Sequence, residues 1–298
     1  MTLLRSLPSD KNFLELDDCD SGLNAHVVIL SVPFEKTTTY GKGAAESPTA
    51  ILNASRQVEL FDCVTECETY RNIGGIATME PIICADPVKL CNILERETKH
   101  QLENNRLVVT LGGEHTSIVG AVKAYSKHCS ELTVLQLDAH SDLRNEYLGN
   151  PWNHACAAHR IFDFHTNMVQ VAIRSQEKEE RLFAKKHKIP IFYANNIQKA
   201  DYLNHDWIDD VISQCKSNVY ITFDCDAFDP SLIPATGTPE PGGLSWLQVN
   251  RLIEKLAVER HIVGFDVCEL APIKDLHHPQ FVIAKLIYRI LGYISKNR

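Results

Sequence analysis

No stretch of this 298-residue chain is apolar over the roughly 20 residues that a membrane-spanning helix needs. The opening residues, Met1-Thr2-Leu3-Leu4-Arg5-Ser6, run into acidic ones without the apolar core of a signal peptide. No low-complexity stretch, internal repeat or Pro/Gly/Ser-rich linker divides the chain, so a single domain over residues 1–298 is expected. Basic residues number 30 against 38 acidic ones, and no basic block stands out, which argues against nucleic acid as a partner. Lys185-Lys186-His187-Lys188 is short and reads as a solvated helix end. The formal charge of −8 mildly favours a small cationic substrate. Ten cysteines are present without a paired motif; Cys63 and Cys67 stand as Cys-x3-Cys with no second pair, a poor zinc site. In the absence of an export signal, all ten read as reduced thiols in a cytoplasmic protein.

What is present is an alternation of apolar runs and helix-period stretches from about residue 26 onward. Strands are expected at residues 26–30, 106–111, 132–137, 168–173, 189–193, 218–223 and 261–267. Helices are expected from Pro48 (with Ser47 as N-cap), through Val88, Leu90, Ile93 and Leu94, from Gln176, up to Val211-Ile212, from Trp246, and from Phe281 to Ser295. Such alternation implies an α/β fold: three layers, a mostly parallel sheet with helices on both faces. The segment from Asp229 to Gly243 is long enough to be a functional loop over a site.

Three of the strand ends carry residues with metal-ligand chemistry. Leu111-Gly112-Gly113-Glu114-His115 follows one, Asp138-Ala139-His140-Ser141-Asp142 a second, and Asp224-Cys225-Asp226 ends a third. In a parallel sheet, ligands gather at the carboxyl ends of strands. Four aspartates around two histidines hold too much negative charge for a bare site and suit a pair of divalent cations. Spacing by two would put Asp138, His140 and Asp142, and likewise Asp224 and Asp226, on one side of an extended backbone, with Cys225 turned to the core. Taken singly, each block has a plainer reading as a polar turn or a tight Gly-Gly packing contact. A calcium loop starting at Asp224 fails, because Phe228, Asp229 and Ala235 stand where an oxygen ligand, a glycine and a glutamate are needed.

Together and in this order, the three blocks resemble the ureohydrolase superfamily, which includes arginases, agmatinases, guanidinobutyrases and formimidoylglutamases. The resemblance extends to Gly41-Lys42-Gly43 through Ala54-Ser55, and to Asp224 through Pro230, Pro234 and Gly237-Thr238-Pro239. It implies the arginase/deacetylase-type fold and two Mn²⁺ ions per chain. One ion would take His115, Asp138, Asp142 and Asp224; the other His140, Asp138, Asp224 and Asp226. An oxygen-rich donor set with some imidazole and no thiolate suits Mn²⁺ on its own chemistry. The resemblance further implies that Glu269 grips a substrate guanidinium and that His154 carries a proton to the leaving amine. Ala155 replaces the glycine that usually follows this histidine, and Thr222 replaces a serine while keeping the hydroxyl.

The resemblance is closest to agmatinases, through Leu143-Arg144-Asn145-Glu146-Tyr147, a His-Ala element and Thr37-Thr38-Thr39-Tyr40-Gly41. The expected substrate is agmatine or an aminopropyl derivative of it, and the expected assembly a homo-oligomer, trimer or hexamer. Arg144 could bind a carboxylate on a carboxylated precursor, but pairing with Glu146 is the simpler expectation. Tyr147 and Trp152 could line the mouth of a pocket or pack; His159, His165, His277 and His278 read as structural or surface residues. Two other classes stay in view. A single-zinc deacetylase-type amidohydrolase would need fewer carboxylates, and an inactive binding homologue would be expected to have lost ligands, of which none is lost here.

Overall fold

The computed structural model of the protein describes residues 4–22 and 24–297. Its centre is an eight-stranded sheet in the order β4-β1-β5-β10-β9-β6-β7-β8. The strands are β1 (Val27–Val32), β4 (Ile76–Thr78), β5 (Leu107–Gly112), β6 (Leu132–Leu137), β7 (Met168–Ile173), β8 (Ile191–Tyr193), β9 (Asn218–Asp224) and β10 (His261–Cys268). A separate two-stranded ribbon joins β2 (Phe61–Asp62) to β3 (Cys67–Glu68). Every pairing in the large sheet is parallel. The short strand β4 has no counterpart in the sequence reading, because Ile76-Ala77-Thr78 is too brief to show a period.

Alternation within the strands sorts the core into two layers. Val27 and Ile29 of β1 and Leu107, Val109 and Leu111 of β5 face one layer, with helices Ser47–Ser55, Trp246–Glu259 and His278–Lys296. Val28, Leu30 and Val32 of β1 and Val108 of β5 face the other, with helices Pro87–Glu103 and Val119–His128. Both faces are covered, so the strands are apolar on both sides. None of the helices among the described residues is long and apolar enough to cross a membrane, and all ten cysteines are free thiols.

Several boundaries differ from expectation for identifiable reasons. Ser47 is not a cap: it lies inside its helix, preceded by Glu46, and its hydroxyl is buried. The helix expected from Gln176 begins at Lys178, because Glu177 and Glu180 form a reciprocal capping box there. The last helix starts at His278 rather than Phe281, with Pro279 in its first turn.

The four central strands are β5, β10, β9 and β6, in that order. Their carboxyl ends therefore adjoin, bringing His115, Glu269, Asp224 and Asp138 to one place although up to 154 residues separate them.

Candidate metal centre

Each ligand block is shaped by the turn that leaves its strand. After β5, Gly113 carries the chain over Phe34 so closely that a Cβ would meet the Phe34 carbonyl oxygen at 2.0 Å. Only glycine fits this position, and it sends His115 into a short 3-10 turn, 1% exposed. After β6, the chain leaves the sheet at Asp138, and Asp142 adopts a left-handed backbone with φ of 51°. After β9, Asp224 caps a 3-10 turn, its carboxylate accepting the N–H of Asp226 at 2.9 Å. The expected alternation along an extended backbone is thus not what gathers these residues. Tight turns do so, and Cys225 is buried in the core by the same turn.

The gathering itself is as expected. His115 Nδ1 lies 3.2 Å from Asp138 Oδ2, 3.2 Å from Asp142 Oδ2 and 3.4 Å from Asp224 Oδ2. His140 Nδ1 lies 2.9 Å from Asp226 Oδ2 and 3.7 Å from Asp138 Oδ1. Two potential metal-holding groups result, His115–Asp138–Asp142 and Asp138–His140–Asp226, and they share Asp138. His115 Nδ1 is buried and makes no hydrogen bond. A lone pair left without a partner in such a place is costly unless a cation takes it.

The tautomer that exposes this lone pair is set from behind. Thr222 Oγ1 donates to Asp266 Oδ1 at 3.0 Å and so accepts from His115 Nε2–H at 3.0 Å. Cys268, His115 and Asp266 also lie close enough to form a third group. There the Thr222 hydroxyl already joins His115 to Asp266, so these residues support the imidazole. Gln136 donates to Asp138 Oδ2 at 2.8 Å and is itself held by Gln170 at 2.7 Å.

The charges respond strongly to one another. Burial, with the charges of Asp226 and Asp142, pushes the Asp138 carboxyl up to about 7. Burial and the same kind of crowding raise Asp224 well above the usual carboxylate range. Against the burial that opposes it, Asp226 and its neighbours push His140 up to about 11. A shell with this much surplus negative charge, oxygen-rich and free of thiolate, fits hard divalent cations.

A cavity of about 370 Å³ opens onto these groups, lined by His140, Asp142, Asp224, Asp226, His154 and Glu269. Glu269 has a left-handed backbone with φ of 61°, and its Oε1 accepts the N–H of His115 at 2.8 Å. His154 Nδ1 lies 3.4 Å from the same oxygen. All eight residues singled out in the sequence therefore converge. Gly237 and Thr238 of the 229–243 loop also line the cavity, as expected of a loop over the site. Tyr147 lines it as well, whereas Trp152 packs half-buried against the core. Arg144 does not pair with Glu146. Its guanidinium lies 4.4 Å over the Tyr147 ring and 2.9 Å from Glu177, which the helix-capping turn brings to the cavity wall. His159 and His165 bond to the carbonyls of Leu143 and Leu132, as structural residues do.

Two residues of consequence were not picked out in the sequence. Arg174 donates to the carbonyls of Asp226, Phe228 and Glu240 at 2.6 to 3.2 Å, fastening the loop to the site. Nothing in the order Ile173-Arg174-Ser175 signals this, because the three carbonyls it fastens are main-chain atoms 52 or more residues away. Glu114 was visible within its block but had no evident role.

The arginase family matches residues 25–292 of this chain. The chain belongs to the arginase family. It is a ureohydrolase, and its eight-stranded parallel sheet flanked by helices is the arginase-type α/β fold. Among its relatives, the N(1)-aminopropylagmatine ureohydrolase of Synechocystis sp. is 35% identical over 296 residues, covering 97% of this chain and 95% of that protein. The protein of the same name from Thermococcus kodakarensis is 36% identical over 279 residues, covering 91% and 92%. The crystal structure of agmatine ureohydrolase of Thermoplasma volcanium superposes with a TM-score of 0.83 at 29% identity, covering 96% of this chain and 94% of that one.

Proposed function

We propose that this arginase-family member is a binuclear manganese enzyme releasing urea from a guanidinoalkyl amine, agmatine or its N1-aminopropyl derivative. The observation that carries the reading is the pair of ligand groups sharing Asp138, with the buried His115 Nδ1 left without a hydrogen bond. His115, Asp138, Asp142 and Asp224 would hold one ion, and His140, Asp138, Asp224 and Asp226 the other. When bound, two such cations make water a nucleophile at neutral pH and stabilise negative charge in the transition state.

The chain's own groups supply positioning and proton transfer. Glu269 Oε1 is tied to His115, and the residue lines the cavity. A carboxylate there pairs with a planar guanidinium and holds its carbon over the metal groups. His154 contacts Glu269 through Nδ1 and would pass a proton to the departing amine.

The cavity favours a cationic arm. Asp142, Glu177 and Glu180 line its wall, and the one arginine, Arg144, already faces Glu177. The names of the relatives support the amine class, for the aminopropyl derivative as much as for agmatine. Arginine brings a carboxylate that would have to compete with Glu177 for Arg144, so it should be a poor substrate. Urea release measured across agmatine, N1-aminopropylagmatine, 4-guanidinobutyrate and arginine, with metal content determined on the same samples, tests the reading. Efficient turnover of arginine would overturn the substrate class. Elemental analysis showing one metal per chain in the fully active protein would overturn the binuclear scheme. We further propose that the protein works as a homo-oligomer, trimer or hexamer, in the cytoplasm; sedimentation and fractionation test both.

A further inference from the structure

The proposed chemistry leaves one buried charge in the first ligand block without a task. Glu114 is 0% exposed, yet its carboxylate accepts four hydrogen bonds. Oε2 takes the N–H groups of Lys36 and Thr37, both at 2.6 Å; Oε1 takes the hydroxyls of Thr37 at 2.8 Å and Thr116 at 2.7 Å. The Thr37 hydroxyl, its proton committed to Glu114, accepts the backbone N–H of His154 at 2.8 Å. Two residues on, Thr39 Oγ1 lies 3.5 Å from His154 Nε2.

Fastening the 35–45 loop does not by itself call for this carboxylate. Glu35 already does so, accepting the N–H groups of Gly43 and Ala45 and the hydroxyl of Thr38. Gly41 adds a main-chain bond to Gly237. Glu114 instead holds Thr37, from which the His154 backbone hangs, together with its neighbour Lys36, and a buried carboxylate is an expensive way to hold them.

We propose that Glu114 is a positioning residue: through Thr37 it fixes His154 between Glu269 on one ring nitrogen and Thr39 on the other. This deepens the urea-release reading and rests on it. Burial works against a charged His154 imidazole, but Glu269 at the end of β10, Asp142 after β6 and Glu114 after β5 favour it. The net effect is a pKa above the ordinary histidine value. A histidine that gives up its proton from this state loses activity as pH rises through its pKa.

The test uses the Mn²⁺-loaded protein with agmatine or N1-aminopropylagmatine, whichever it turns over, and three variants. Glu114→Gln and Thr37→Val should each lower kcat about 10- to 100-fold with KM little changed, since misplacing a proton donor costs on this scale. In Glu114→Gln the alkaline limb of the kcat profile should move to lower pH, because a charge favouring the protonated ring is gone. Thr37→Ser, which keeps the hydroxyl, should restore kcat to within about twofold of the parent, as expected if the hydrogen bond and not the methyl matters. The Thr37 variants decide the matter even where Glu114→Gln, beside His115, loosens metal. Thr37→Val with parental kcat and pH limb, or Thr37→Ser as impaired as Thr37→Val, overturns the proposal. If the parent released no urea from any guanidino compound, the functional reading would fall. The positioning role would then be read from the His154 imidazole titration by NMR in the Mg²⁺-loaded protein, where an unchanged pKa in Glu114→Gln and Thr37→Val overturns it.

Discussion

His154 Nδ1 stands 3.4 Å from Glu269 Oε1, the same oxygen that accepts the backbone N–H of the metal-side residue His115. One carboxylate thereby links His154 to the turn that presents His115. Its left-handed backbone, at φ of 61°, is the kind of conformation that persists only where surrounding structure holds it.

Separate roles for the two residues follow. His154→Asn should lower kcat by about 10²-fold or more while leaving metal content unchanged, the usual scale for a lost acid–base group. Glu269→Gln should weaken substrate positioning and raise KM as well. Steady-state kinetics on agmatine with parallel metal analysis separates the two; parental turnover in His154→Asn across pH would assign the proton to another group.

Metal retention should depend on Asp138 more than on the groups behind the ligands. Asp138→Asn, at the residue both ligand groups share, should empty the centre of most metal and abolish activity. Thr222→Val leaves every ligand in place but frees His115 from the bond that sets its tautomer. Its metal affinity should fall about 10- to 100-fold, as for lost supporting hydrogen bonds elsewhere. Isothermal titration with Mn²⁺ checks both, and a parental affinity in Thr222→Val would remove the relay from the account.

After chelation, stability should fall as pH rises. Asp138 and Asp224 have folded values above the unfolded carboxylate value near ~4, and His140 is raised to about 11 from an unfolded value near ~6.5. Each of these groups holds more protons folded than unfolded, the carboxyls from about pH 4 upward and His140 from about pH 6.5 upward. Asp226, lowered chiefly by His140 against its burial, contributes in the opposite sense only below about pH 4. Melting of the chelated protein at pH 5.5 and 8.5 should therefore favour the lower pH, and added Mn²⁺ should help more at the higher one. A chelated protein that melts higher at pH 8.5 would contradict the charge balance.

Far from the site, Asp62 on the ribbon strand β2 is wholly buried and meets Arg289 Nε at 2.8 Å and Lys285 Nζ at 3.0 Å. These cations on the last helix, with the N–H groups of Thr65 and Val64, overcome burial and hold the Asp62 carboxyl well below the usual range. Asp62→Ala leaves two cations near an apolar region, so about 3 kcal/mol of stability should be lost. Urea denaturation of the metal-loaded protein measures it, and a loss under about 0.5 kcal/mol, the scale of an ordinary surface change, would show the pair to be dispensable.

The fold was legible because most strands are apolar on both faces and long enough to show as runs, β5, β6, β7 and β9 among them. Three-residue β4 and the late start of the helix at Lys178 were not, since a short strand has no period and a Glu177 cap looks like any surface charge. The eight site residues were legible through their chemistry and their position after strands. Their backbone geometry was misread, because Asp142 and Asp226 sit in turns that the spacing of two does not distinguish from a strand.

Residue chemistry along the chain determined what can be bound: four aspartates and two histidines in three blocks, without a thiolate among them, ask for paired hard cations wherever they meet. That requirement is local and travels with the side chains. Where they meet, and which neighbours serve them, was decided only by tertiary structure. Strand order makes β5, β10, β9 and β6 adjacent, so groups up to 154 residues apart share a few ångströms. Thr222, Glu114 and Arg174 act through hydrogen bonds to partners far off in the sequence, and Arg144 turns to Glu177 instead of its sequence neighbour Glu146. Such choices depend on distances of about 3 Å between segments that only the packed sheet brings together.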